Sequence, residues 1–219
     1  MKHLWERWAP LTGLLAVACS LVGVMLALDQ PQDTDSDAKI VAYFADHTNR
    51  VHGVIGFFVF LAGILFLLVF LATLRDRLLS AEGQPGALSA LAFGAGIASL
   101  PLWAVSMLLA DAASFASNES SAFQLDANTF RLLADTAYYA WVAAVVVSSV
   151  VVWATSAVAL RTAVLPRWYG RSGILAGVIQ LFGFFFFPFF VWWLWLIVTS
   201  VLLVARLAPV HARVAQRAL

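Results

Sequence analysis

Five ionisable or hydrogen-bonding side chains stand where the apolar runs of this sequence begin or end: His52, Asp111, Arg131, Asp135 and Tyr138. Such positions are candidate sites, because an ionisable group costs free energy in hydrocarbon unless it has a task or a partner there. Asp135 lies about one turn into its run, where the dipole of a helix N-terminus favours a negative charge. Tyr138 follows at i+3 and Arg131 precedes at i−4, spacings that share a helix face. His52 and Asp111 enter neighbouring runs from the same side. The expectation is that Asp135 turns inward towards these two, giving a carboxylate and imidazole set for acid–base work. The plainer alternative is that Asp135 balances its helix terminus and pairs with Arg131.

Other chemistries lack their residues. A bis-histidine haem needs His from two facing helices at one depth, yet His3 and His211 fall near the termini and only His52 enters a run. His47 and His52 are five apart, which places them on different faces of a helix. No cofactor and no metal site is expected. Phosphate-binding loops, nucleophile elbows and zinc-protease signatures are absent from the sequence. With one cysteine, Cys19, no intrachain disulfide can form.

The elements that carry these groups follow from hydropathy. Hydrophobic residues make up 63% of the 219 positions and charged ones 11%, whereas a soluble domain has roughly 25% charged residues. The missing charge is missing water-facing surface. Apolar runs fall at about 9–28, 51–74, 88–112, 132–160 and 172–206. A helix over the last run would be about 52 Å long at 1.5 Å per residue, against a hydrocarbon core of roughly 30 Å. Pro188 sits near its middle, so it reads as a hairpin, 172–187 and 189–206; one tilted, kinked helix is the alternative. The predicted fold is all-α: a polytopic transmembrane bundle of six helices in a single domain, 1–219. The first run is read as a retained helix, since it is longer than a signal-peptide core and no A-x-A site follows it.

Orientation follows from Lys and Arg, which stay on the cytoplasmic side. In the six-helix reading ten of the thirteen share the side of both termini; Lys39, Arg50 and Arg131 lie outside. Trp5, Trp8, Trp168 and Tyr169 would anchor the inner boundary, and Tyr138, Tyr139, Trp192, Trp193 and Trp195 the outer one. Between the first two runs, Ile40, Val41 and Phe44 repeat at helical spacing, which predicts an amphipathic helix over about 37–47 along the outer surface, capped by Asp35, Ser36 or Asp37. Small residues at steps of three and four, Gly13 to Ala27 and Ala92 to Ala110, predict close helix packing.

Two segments carry a resemblance. The stretch from Pro31 through Asp37-Ala38-Lys39-Ile40-Val41-Ala42-Tyr43-Phe44-Ala45-Asp46-His47, and the turn Leu160-Arg161-Thr162-Ala163-Val164-Leu165-Pro166-Arg167-Trp168-Tyr169-Gly170, resemble a group of uncharacterised bacterial, mostly actinobacterial, integral membrane proteins. The two segments cover about a fifth of the chain. The resemblance implies a bacterial plasma membrane and carries no activity.

Three functional classes stay open: a non-enzymatic structural, accessory or regulatory membrane protein; a passive or ion-coupled transporter or channel for small solutes; and an enzyme acting on lipid at the outer surface. The expected partners are the lipid bilayer and other membrane helices, including a second copy. The net charge of +1 provides no basic field for nucleic acid.

Overall fold

The chain is all-helical in a computed structural model that describes residues 8–120, 122–185 and 187–217, with backbone alone for residue 188 and residues 207–217. Trp5, one of the expected anchors, lies outside the described residues. Among the described residues eight α-helices follow one another: α1 (Thr12–Leu26), α2 (Asp37–Ala45), α3 (His47–Glu82), α4 (Ala87–Ala110), α5 (Ala112–Glu119), α6 (Ala127–Thr162), α7 (Arg167–Gln180) and α8 (Pro188–Arg217). Among the described residues five stretches are long and apolar enough to cross a membrane: Ala9–Leu26, α3, α4, α6 and Phe189–Arg206.

Hydropathy located these helices, but capping chemistry decides where they stop. α3 starts where Asp46 accepts hydrogen bonds from Thr48 N at 2.8 Å and Asn49 N at 3.1 Å. It runs well past the apolar residues and ends at Glu82, followed by Gly83 at φ +78°, a left-handed geometry that favours glycine. The Glu82 carboxylate then caps α4, accepting from Leu88 N at 2.9 Å and from Ser89 N at 2.8 Å. Likewise Ser36 caps α2 through Lys39 N, and Asp126 caps α6 through Thr129 N.

The described chain forms two compact units. One comprises Met1–Val17, Leu65–Ser99 and Val145–Leu219. In it the run at 172–206 is two helices, α7 and α8, joined by a turn that includes a short 3₁₀ segment, Gly183–Phe185. α7 begins earlier than the expected boundary and has only 14 residues, about 21 Å of helix against a hydrocarbon core of roughly 30 Å. The sixth apolar element is therefore short. Glycines let α7 sit directly on α6: a Cβ at Gly170 would collide with Leu160, at Gly173 with Ser156, and at Gly177 with Trp153. At the turn, a Cβ on Gly183 would lie 2.6 Å from a methyl of Val145, near the middle of α6. The Tyr169 hydroxyl shares a 2.7 Å hydrogen bond with Thr199, tying α7 to α8. Arg206 Nη1 donates to the carbonyls of Ala163 at 2.9 Å and Val164 at 2.8 Å, so that α8 returns to the loop from which α7 departs.

Tyr169, Trp192, Trp193 and Trp195 are buried in this unit and are not boundary anchors as expected. Their rings fill space between helices, where Trp192 and Trp195 stack 5.3 Å apart. Trp8 and Trp168 are exposed.

The second unit comprises Ala18–Ile64 and Leu100–Ala144. Its core includes Ile40 and Phe44 of α2, Ala113 of α5, and Ala127 and Phe130 of α6. The apolar face of α2 is thus turned onto protein, with Val41 left exposed beside it. Two arginines fasten this arrangement. Arg50 donates to the last carbonyls of α2, Phe44 at 2.8 Å and Ala45 at 2.9 Å, and to Asn118 of α5 at 3.0 Å. Arg131 reaches the loop before α2, donating to the carbonyls of Asp33 and Asp35.

Candidate functional site

Asp111 ends the apolar stretch of α4 and starts α5: its backbone N–H bonds to Met107 and its carbonyl receives Phe115. The residue is 0% exposed, and its carboxylate does not cap α5. Instead Oδ1 accepts a 2.6 Å hydrogen bond from Nε2 of Gln30, while Oδ2 has no partner among the described residues. Ser114, one turn along α5, is likewise fully buried with an unpartnered hydroxyl. Both groups converge on Gly53 of α3, where a Cβ would lie 2.6 Å from Ser114 Oγ and 3.0 Å from Asp111 Oδ1.

Loss of hydration disfavours the charged form, and burial pushes the Asp111 carboxyl up to about 7, the Gln30 hydrogen bond opposing the rise. The phenol of Tyr43, on α2, is also raised, first by burial and then by the negative charges of Asp29, Asp111 and Asp46. Chemically, the centre is a single carboxyl able to hold or release one proton.

The five candidates from the sequence do not assemble around it. His52 is exposed, although the adjacent Gly53 is buried; neighbours in a helix point about 100° apart. Asp135 is exposed, which corrects the expected inward orientation. The buried face of α6 at this end is Ala127, Phe130, Ala137 and Trp141, and position 135 falls outside that stripe. Nor does Asp135 pair with Arg131. That guanidinium is committed to Asp33 O at 2.8 Å, Asp35 O at 2.9 Å, Asp37 Oδ1 at 2.7 Å and Asn128 Oδ1 at 3.1 Å. Tyr138 is 38% exposed and packs edge-on to Tyr139 at 5.6 Å. Of the five, Asp111 alone is in the buried centre.

Gln30, Gly53 and Ser114 escaped the sequence reading. Gln30 lies in the loop after the first run, 81 positions from its partner, and no periodicity connects them. Among the described residues no group of three His, Cys, Asp or Glu side chains is placed to hold a metal ion. No protein-family model, curated protein or solved structure matches the chain.

Proposed function

We propose that this chain is a non-enzymatic accessory or regulatory protein of a bacterial plasma membrane, with both termini in the cytoplasm, acting through surfaces that meet lipid and other membrane helices. The observation that carries the reading is the separation of the acid–base candidates. His52, Asp135 and Tyr138 are exposed while Asp111 is enclosed with Gln30; this difference in burial supports a role other than proton-transfer catalysis, in which acid and base meet one substrate. Arg50 and Arg131 hold loops and helix ends together. The basic asymmetry between loops supports the orientation, and the two resembling segments support the bacterial membrane.

Asp111 favours one second reading, ion-coupled transport, because a buried carboxyl that titrates near neutrality suits proton carriage. One experiment separates the readings: the purified protein in vesicles of native lipid extract, with a trapped pH-sensitive dye and lipid composition followed by mass spectrometry. The accessory reading expects no proton flux above empty vesicles and no change in lipid composition. Flux that Asp111→Asn abolishes would establish transport, and lipid turnover would establish an enzyme.

A further inference from the structure

α7 and α8 leave an open groove of about 330 Å³ between them. Leu175, Ala176 and Ile179 form one wall and Leu194 and Val198 the other. Leu175 and Leu194 are 61% and 59% exposed, so the groove faces outward. In a bilayer such a surface meets hydrocarbon, and an unfilled groove forfeits dispersion contacts.

One end of the groove differs in kind. Trp168 forms it and is exposed, and an indole settles at headgroup depth. Arg167 and Arg171 flank Trp168 in sequence on the first turns of α7, one turn apart and both exposed, outside the groove walls but at the same end of the helix. Neither belongs to an ion pair among the described residues. Like charges at i and i+4 repel, and the helix dipole opposes a cation at the first position, where Arg167 sits. An anion at this end relieves both penalties.

We propose that this groove binds an anionic phospholipid, with one acyl chain between α7 and α8 and the headgroup phosphate held by Arg167 and Arg171 beside Trp168. The site rests on the accessory-membrane reading and supplies its lipid class. An acyl chain matches the apolar walls, and a phosphate matches the paired guanidinium forks.

Native mass spectrometry of the full chain in detergent, offered phosphatidylglycerol and phosphatidylcholine in equal amounts, tests the site. The wild type should retain one phosphatidylglycerol with a preference of roughly 25-fold, about fivefold from each arginine. Arg167→Gln with Arg171→Gln should bind the two lipids alike. Ala176→Phe, which fills the groove, should lose both. Lipid-free melting temperatures identify any variant that fails to fold, and the exposed arginines keep the first comparison independent of packing. Equal retention of the two lipids by the wild type, an undiminished preference in the arginine variant, or displacement by an equal concentration of inorganic phosphate would overturn the proposal. So would a dimer that occupies the groove. Failure here leaves the vesicle assay for flux and lipid turnover unaffected, so the two readings fail separately.

Discussion

Gln30 Nε2 and Asp111 Oδ1 are joined at 2.6 Å across 81 positions of sequence, and this bond fixes the one buried carboxyl found in the α2–α5 region. With its pKa raised to about 7, folded Asp111 keeps its proton from roughly pH 4 upward, where an unfolded aspartate has lost it. The folded state then binds more protons than the unfolded one, so stability falls as pH rises through that window, by at most about 1.4 kcal/mol per pH unit. The contribution is complete below roughly pH 4 and gone above about 7. Asp111→Asn removes this titration. The drop in Tm between pH 5 and pH 8 should therefore be smaller in Asp111→Asn than in the wild type, and equal drops would contradict the buried neutral carboxyl.

Arg131 illustrates the difference between an ion pair and a clamp. Asp37 is largely exposed, with its side chain at 73%, and Asp37→Ala should cost less than about 1 kcal/mol. Arg131→Ala also releases the carbonyls of Asp33 and Asp35 and should cost about 1–3 kcal/mol. Arg131→Lys should not rescue it, since an ammonium lacks the planar fork. Hydrogen exchange along residues 31–39 reads the effect: protection should fall in both Arg131 variants and persist in Asp37→Ala.

Much of this architecture is legible in the residues, and what is not has physical causes. Run length and Pro188 disclose the α7–α8 hairpin because helix length is bounded by bilayer thickness. The order Ser36, Ile40, Phe44 discloses α2, since caps and apolar spacing are local. α3 was expected to end near 74 and continues to Glu82, because charged side chains such as Arg75 and Arg77 do not break a helix and Gly83 does. Trp192 and Trp195 were misplaced because an aromatic ring serves equally as anchor or packing residue. Gln30 and Ser114 were invisible: a contact made by folding leaves no spacing to count.

Gly170, Gly173 and Gly177 of α7 stand at steps of three and four, a spacing that small residues show in any membrane helix and that does not by itself name the partner. Gly173→Ala and Gly177→Ala would press a methyl onto Ser156 and the Trp153 indole and should each destabilise the protein by about 1–3 kcal/mol. Gly94 is the control. Nothing lies within 4 Å of its Cβ position, so Gly94→Ala should be neutral or stabilise by up to about 1 kcal/mol. Thermal unfolding in detergent orders the three, and a Gly173→Ala protein as stable as Gly94→Ala would refute the tight α6–α7 contact.

The orientation of the chain, on which the lipid site and the accessory reading both depend, is tested most directly by labelling. In a Cys19→Ala background, single cysteines at Ser36, Ser80 and Ala215 are exposed in intact cells to a membrane-impermeant thiol reagent. Because Arg206 meets the Ala163–Val164 loop and basic loops stay cytoplasmic, labelling is expected at Ser36 alone. Labelling of Ala215 from outside, with Ser80 protected, would mean that the α7–α8 hairpin does not return the C-terminus to the cytoplasm, and would overturn the proposed orientation.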